Sequence, residues 1–169
     1  MTWLFGMQGE DGKRLSRPLL RRAAALAWGW RALPELARSG RGKPYFRHWP
    51  EKWFSLSHSG GLTLCALSDD GPVGVDVEVE RPRRPGLMAY ALSPAEQAAC
   101  RGDWGEFYRL WTLKESWCPP LPARGGGDAS PLSPPQLYRT GLAGGGVLLW
   151  NTAGGCPLDG AGGDALKVS

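Results

Sequence analysis

The chain has 169 residues, of which 42% are hydrophobic and 21% charged, and its formal net charge is +4. A chain of this size and composition buries one core, which excludes a fibrous or low-complexity protein. No apolar run is long enough to span a bilayer, and the first twenty residues lack the apolar stretch of a secretory signal, so we expect a cytoplasmic location.

The first predicted element is a basic amphipathic helix. Five cations, among them Lys13 and Arg14, alternate with leucines at helical spacing, and Pro18 is expected in the first turn. No strand is evident ahead of this helix. Residues 1–58 hold eleven Lys and Arg against four Asp and Glu, whereas residues 69–80 hold five acids and no base. This asymmetry is typical of a site where a polyanion meets a metal-bearing acidic segment.

Two strands are predicted next, over Trp53 to Leu56 and Leu62 to Leu67, where aromatic and aliphatic residues dominate. A third strand is predicted from Val73 to Val79. The turn Asp69-Asp70-Gly71 between the last two indicates that they form a hairpin. The expected sheet is small and antiparallel.

The predicted strand from Val73 to Val79 alternates valines with other residues, which places Asp76, Glu78 and Glu80 on one face. Carboxylates this close repel one another unless water or a cation neutralises them. Their oxygens are the ligands that Mg²⁺ prefers. The residues alone leave open the alternative of an ordinary solvated strand face.

Two helices follow, near Pro94 to Cys100 and from Trp104 to Trp117, and Asp103 is expected to cap the second. Glu115 lies at the C-terminal end of the second helix. The helix dipole favours cations at that end, so another interaction is expected to require this acid. An ordinary surface pair with Lys114 is the alternative.

The composition changes at Cys118. Residues 119–169 hold twelve of the 25 glycines and seven of the 15 prolines, with only six charged residues. This favours loop or disorder, with one strand-like run from Val147 to Asn151. We therefore expect two regions, a folded one over 1–118 and an irregular one over 119–169.

Five short motifs stand out when the sequence is taken as a whole. They are Gly42-Lys43-Pro44, Trp53-Phe54-Ser55-Leu56-Ser57-His58-Ser59-Gly60, Gly74-Val75-Asp76-Val77-Glu78, Leu92-Ser93-Pro94-Ala95-Glu96 and Trp111-Thr112-Leu113-Lys114-Glu115-Ser116. In order and spacing, these motifs resemble the 4′-phosphopantetheinyl transferases of the larger, surfactin-synthetase-activating type. The resemblance is firm over residues 42–117, weak before them, and absent after Cys118.

This resemblance implies an α/β (α+β) fold, a small antiparallel sheet with packed helices, in which the second of two similar halves is incomplete. It implies Mg²⁺-dependent transfer of the phosphopantetheine arm of coenzyme A to a serine of an apo acyl or peptidyl carrier protein, which releases adenosine 3′,5′-bisphosphate. Coenzyme A and the carrier are then the expected partners, whereas nucleic acid and membrane are not. Whether the chain is a monomer or a dimer stays open.

The resemblance also implies the residues of the site. The metal carboxylates map onto Asp76, Glu78 and Glu115, which we expect to converge on one ion. Glu115 and Lys114 are the expected catalytic residues, and Glu115 would accept the serine proton directly or through a water. The residues expected to contact coenzyme A are Lys43, Ser57, His58, Arg17, Arg14 and Lys13.

The chain departs from the family pattern after the second predicted helix. The family has a lysine four residues past the glutamate and then several strands, where this chain has Pro119 and the Gly-rich region. One explanation is a shift of reading frame near Cys118, which the abrupt loss of charge favours. The other is a genuine segment that covers the core irregularly.

Other functions fit part of this pattern. A non-catalytic relic of the family would bind coenzyme A or a carrier weakly. An unrelated Mg²⁺-dependent nucleotide-processing enzyme would share the acids but not the other motifs. Nucleic-acid binding is disfavoured, because no motif of that class accompanies the basic residues. Arg81, Arg83 and Arg84 either face an acidic carrier or form a solvated loop.

Overall fold

The computed structural model describes residues 1–40, 42–84, 86–116, 138–142 and 146–150, the last two ranges and Ser116 by their backbone. The helices of this part are α1 (Gly12–Trp28), α2 (Gly86–Ala91), α3 (Pro94–Cys100) and α4 (Trp104–Ser116). Its strands are β1 (Thr2–Gln8), β2 (Leu36–Arg38), β3 (Pro44–Phe46), β4 (Trp53–Ser59), β5 (Leu62–Ser68), β6 (Tyr138–Leu142) and β7 (Gly146–Trp150). This mixture of helices with a small antiparallel sheet confirms the expected fold class.

The main sheet has three antiparallel strands in the order β1-β5-β4. Every residue of the central strand β5 is buried. β4 turns into β5 through Gly60 and Gly61, whose φ angles of 56° and 82° favour glycine. A Cβ on Gly60 would also lie only 2.3 Å from Cγ2 of Val79, so a side chain there would collide with the neighbouring segment.

The opening strand β1 was not predicted from the sequence. Its residues point alternately to the two faces of the sheet, with Leu4 in one cluster and Trp3 and Phe5 in the other. Other parts of the chain pack on both faces of the sheet. The strand therefore carries apolar side chains on both faces and does not alternate between apolar and polar residues. A strand of this kind lacks the period-two signal that a half-solvated strand shows.

The predicted hairpin through Asp69-Asp70-Gly71 is wrong. Both edges of β5 are already paired, one with β1 and the other with β4, so the segment 73–79 finds no free edge on that strand. The segment is not part of a hydrogen-bonded ladder. It crosses one face of the sheet, where Val73, Val75 and Val77 pack into a cluster with residues of β1 and β5.

Helix α1 covers the opposite face of the sheet. Its residues Leu19, Leu20 and Ala23 pack with side chains of β3, β4 and β5. Asp11 caps the helix by accepting hydrogen bonds from the backbone N–H groups of Lys13 and Arg14. The helix therefore begins at Gly12, which places Pro18 in its interior and not in the first turn as predicted.

The helices α2, α3 and α4 pack around a separate cluster that contains Leu92, Cys100, Phe107 and Tyr108. As predicted, Asp103 caps α4, since its Oδ1 accepts the backbone N–H of Glu106 at 2.8 Å. The Tyr108 hydroxyl ties this unit to the segment after the acidic residues. It donates to the carbonyl oxygen of Arg81 at 3.1 Å and accepts from Nε of Arg83 at 3.0 Å.

The Gly-rich region holds more regular structure than its composition predicted. β6 and β7 pair as an antiparallel hairpin, and the backbone of β7 lies beside α4. β7 confirms the strand predicted from Val147 over residues 147–150, while Asn151 lies outside the described residues. The proposed boundary near Cys118, and Pro119, also lie outside them.

No helix in the described ranges combines the length and the apolarity needed to cross a bilayer.

The packing of α1 on the sheet predicts the effect of removing one leucine. Leu20 is 0% exposed in the cluster beneath the helix, whereas Leu26 on the same helix is 67% exposed. We expect Leu20→Ala to lower the free energy of unfolding by about 2–5 kcal/mol, because it leaves a cavity. The matched change Leu26→Ala should alter it by less than about 0.5 kcal/mol. Urea denaturation followed by tryptophan fluorescence measures both, and equal effects would contradict this packing.

Candidate active site

Three serines of the edge strand β4 anchor residues 73–79, which we call the acidic segment. Each serine lies on the face of the sheet that the segment crosses, and each hydroxyl oxygen accepts a backbone N–H from a valine twenty residues later. The bonds run from Val75 N to Ser55 Oγ (3.1 Å), from Val77 N to Ser57 Oγ (3.2 Å) and from Val79 N to Ser59 Oγ (3.2 Å). The segment therefore runs parallel to β4, held by side chains in place of a backbone ladder.

Two of these serines also hold carboxylates. The hydroxyl of Ser57 donates to Oδ1 of Asp76 at 2.7 Å. The hydroxyl of Ser59 donates to Oε2 of Glu78 at 3.0 Å. Two of the predicted metal ligands thus have one oxygen each fixed by a neighbouring strand.

Asp76 is the most perturbed acid of the site. It is only 9% exposed. Its Oδ2 is buried and meets no hydrogen-bond donor among the described residues. Burial raises the pKa of Asp76 from its ordinary 3.8 to about 6, against the hydrogen bonds from Ser57 and the Val77 N–H, and the charges of Glu78 and Glu115 raise it further. A buried carboxylate with one unpartnered oxygen is costly unless a cation binds it.

Glu115, on the last turn of α4, is exposed. It lies close enough to Asp76 for its charge to raise the pKa of Asp76. Within the described residues, however, no three Asp, Glu, His or Cys side chains are gathered closely enough to hold an ion. The expected convergence of Asp76, Glu78 and Glu115 is therefore not seen here. Three like charges repel one another, which opposes their convergence when no cation lies between them.

Lys114 pairs with Glu96 and not with one of the predicted metal carboxylates. Its Nζ donates to Oε2 of Glu96 at 2.6 Å and to the carbonyl oxygen of Ala91 at 3.1 Å. The hydrogen bond from Lys114, together with the backbone N–H of Ser93, lowers the pKa of Glu96 to about 2. In this structure Lys114 thus joins α4 to α3, and its expected catalytic role stays a prediction.

Ser57 and His58 lie on opposite faces of β4, as neighbouring residues of a strand do. Ser57 faces the acidic segment. His58 is exposed on the α1 side, where its Cβ lies 3.1 Å from the position that a Cβ on Gly12 would occupy. Because β4 is an edge strand, a ligand that touches both residues has to pass around that edge.

The basic residues predicted to contact coenzyme A lie at three places. Lys43 donates from Nζ to the carbonyl oxygen of Val73 at 3.3 Å, at the start of the acidic segment. Lys13 and Arg14 are exposed in the first turn of α1, directly after Gly12, the residue that lies close to His58. Arg17 lines an open groove of about 380 Å³ farther along the helix; the other lining residues are Pro18, Arg21, Arg31, Ala32 and Leu33.

Sequence comparison identifies the family at this point. A sequence model of the 4′-phosphopantetheinyl transferase superfamily matches residues 72–118, which include all three predicted metal carboxylates. The 4′-phosphopantetheinyl transferase AcpT of Escherichia coli K12 is 36% identical over 143 residues, which are 80% of this chain and 71% of that protein. The chain belongs to the 4′-phosphopantetheinyl transferase family.

Other transferases match over shorter stretches. AcpT of Salmonella typhi is 41% identical over 91 residues, 50% of this chain and 47% of that protein. The transferase Sfp of Bacillus subtilis 168 is 35% identical over 81 residues, 45% of this chain and 36% of that protein. The chain thus spans about half or less of the length of these two relatives.

The similarity to the Escherichia coli transferase corrects one expectation. A continuous stretch that covers 80% of this chain cannot end before residue 118. The resemblance therefore continues beyond Cys118, where the short motifs had ended. The superfamily model itself ends at residue 118, whereas this pairwise similarity extends past the change in composition.

Reasoning from the sequence missed Ser55 and Ser59 as parts of this site. The signal was present, because Ser55, Ser57 and Ser59 alternate in a strand and therefore share one face. Tyr108 was also missed as the residue that joins α4 to the acidic segment. A tyrosine at a helical core spacing gives no indication that its hydroxyl bonds to a loop elsewhere.

The environment of Asp76 predicts how its replacement changes stability with pH. The folded-state pKa of about 6 lies above the ordinary 3.8, so the folded chain binds this proton more tightly than the unfolded chain does. In EDTA, wild type should therefore lose stability relative to Asp76→Asn as the pH rises from 4 to 7, by about 2 kcal/mol. The difference should be constant above pH 7. Urea denaturation at several pH values checks this, and a difference that does not depend on pH would contradict the assigned pKa.

Proposed function

We propose that the chain transfers the 4′-phosphopantetheine arm of coenzyme A to a serine hydroxyl of an apo acyl or peptidyl carrier protein, with Mg²⁺ and with release of adenosine 3′,5′-bisphosphate. Membership of the family supports this activity. The observation that carries it is the buried Asp76, whose Oδ2 has no hydrogen-bond donor among the described residues and which lies two residues before Glu78.

The donor set fits the proposed metal. Asp76 and Glu78 are hard oxygen ligands, and each has one oxygen that no serine of β4 holds. Mg²⁺ commonly takes one or two carboxylates and completes its shell with water and substrate phosphate, so the site needs no preformed cage of three acids. Glu115 would join as the third carboxylate. The ion, when bound, would neutralise charge that develops on the pyrophosphate and orient the leaving group.

Coenzyme A is proposed to bend around the edge strand β4. Its pyrophosphate would lie on the face of Ser57 and Asp76, and its outer phosphate would reach His58, Lys13 and Arg14 on the α1 side. This path follows because Asp76 and His58 lie on opposite sides of β4. Asp11 accepts the N–H groups of Lys13 and Arg14 and also pairs with Nε of Arg14 at 3.1 Å. Lys13 would therefore meet a phosphate through its side-chain cation, and Arg14 through its other guanidinium nitrogens.

Glu115 is the proposed general base for the carrier serine. It is exposed and lies near enough to Asp76 to influence its pKa. A base for an incoming macromolecule has to be open to solvent, which Asp76 is not. Lys43, at the start of the acidic segment, and Arg17, in its groove, are proposed as further coenzyme A contacts.

Within the superfamily we propose the larger type, in which one chain supplies both halves of the cleft. The similarity to Sfp supports this assignment, as does the hairpin β6–β7 beside α4. The cytoplasm, where coenzyme A and carriers meet, is the proposed location, and the unit from 1 to 118 is the proposed core of the protein.

The direct test is modification of a carrier. The full chain is incubated with an apo carrier protein, coenzyme A and Mg²⁺, and the carrier is weighed by intact mass spectrometry. We expect one added phosphopantetheine arm in wild type. Asp76→Ala and Glu115→Gln should lower the rate by about 100-fold or more, because each removes stabilisation of the transition state. EDTA should abolish the reaction.

Glu106→Gln is the matched control, because Glu106 lies on the same helix as Glu115 but pairs with Arg109 at 2.7 Å. Its rate should stay close to that of wild type. Absence of any modification, with coenzyme A still bound in equilibrium dialysis, would contradict the transferase and indicate a binding relic. Cleavage of a nucleotide without a carrier would contradict it in favour of an unrelated magnesium enzyme.

A further inference from the structure

We propose that Ser57 and Ser59 are positioning residues for the metal carboxylates, in addition to their bonds to the backbone of the acidic segment. This inference rests on the proposed function, because it concerns the same metal site. It assigns a role to Ser59 that nothing in the sequence pattern had assigned. It also gives Ser57 a role different from the expected contact with a coenzyme A phosphate.

Each serine hydroxyl has a single proton to donate. The oxygen of Ser57 accepts the N–H of Val77, and its proton goes to Oδ1 of Asp76. The oxygen of Ser59 accepts the N–H of Val79, and its proton goes to Oε2 of Glu78. A hydroxyl donates one hydrogen bond. In this arrangement, neither serine has a proton left for a phosphate.

The serine hydrogen bonds determine which oxygen of each carboxylate a cation can use. With Oδ1 held by Ser57, the oxygen that Asp76 can offer to a cation is Oδ2, the buried atom for which the described part of the chain supplies no donor. With Oε2 held by Ser59, Glu78 offers Oε1. The serines thus fix the rotation of both side chains before any ion arrives. Partners that orient ligands in this way commonly account for a 10- to 100-fold effect on metal affinity.

Ser55 provides a control within the same strand. Its Oγ accepts the N–H of Val75 at 3.1 Å, as the other two serines accept theirs, but the residue equivalent to Asp76 and Glu78 is Gly74, which has no side chain to accept a hydrogen bond. Ser55→Ala therefore removes a backbone anchor alone. Ser57→Ala and Ser59→Ala remove an anchor and a bond to a carboxylate. The difference between these variants isolates the positioning role.

The experiment is a titration of the full chain with Mn²⁺, followed by electron paramagnetic resonance of the free ion, with Mg²⁺ as competitor. We expect the Kd for Mn²⁺ to rise about 10-fold or more in Ser57→Ala and in Ser59→Ala, and to change less than about twofold in Ser55→Ala. Ser59→Thr, which keeps the hydroxyl, should restore wild-type affinity. Circular dichroism and urea denaturation of each variant establish that it is folded.

A double-mutant cycle keeps the proposal falsifiable if one variant is unstable. Because Ser59 is proposed to act through Glu78, Ser59→Ala should have little further effect on the Kd for Mn²⁺ in a Glu78→Gln background. Additive effects would overturn the positioning role. So would wild-type Kd values in both alanine variants. Failure of wild type to bind Mn²⁺ at all would instead overturn the metal site, and the proposed function with it.

Discussion

The burial of one carboxylate by the residues on either side of it is the constraint on which this site depends. Asp76 lies between two buried valines, on a segment whose valines pack into the core of the sheet. The packing that stabilises the segment therefore also withdraws Asp76 from water. One of its oxygens receives a serine proton, and the other has no donor within the described structure. A bound cation would offset this unfavourable desolvation, so packing and metal binding are coupled at one residue.

The attachment of the acidic segment to β4 through serine side chains makes this burial of Asp76 possible. A strand paired by a backbone ladder would lie beside β4 in the plane of the sheet. The segment instead crosses the face of the sheet, and the hydroxyls of β4 reach up to it. Short serine side chains set a close spacing between the two, which brings each carboxylate within hydrogen-bond distance of a serine. The Tyr108 hydroxyl then connects the end of the segment to α4, the helix that carries Glu115.

The main elements were predictable because their signals are local. The strands β4 and β5, the helices α3 and α4 and the alternation of Val73 to Val79 each follow from the pattern of neighbouring residues. The features that were not predicted from the sequence have physical explanations. β1 is apolar on both faces, so no alternation marks it. Whether residues 73–79 can pair with β5 depends on which strands already occupy its two edges. One of these strands is β1, which precedes β5 by about sixty residues.

The candidate site was predictable in its residue types and not in its geometry. The acids of the segment follow from the sequence, but the hydrogen bond that the Ser57 hydroxyl donates to Asp76 can be seen only in the coordinates. Coordinates are also needed to show that Lys114 pairs with Glu96. They are needed as well to place Ser57 and His58 relative to the elements on the two faces of β4. A sequence shows which groups are present, whereas hydrogen-bond partners depend on distances between elements.

The most direct test of the account is a crystal structure of the full chain with Mn²⁺ and coenzyme A, with anomalous scattering used to locate the ion. The account predicts one peak within about 2.5 Å of Oδ2 of Asp76, next to the pyrophosphate and with Ser57 still bound to Oδ1. A peak elsewhere, or Oδ2 of Asp76 bonded to a protein donor with no metal beside it, would contradict the account.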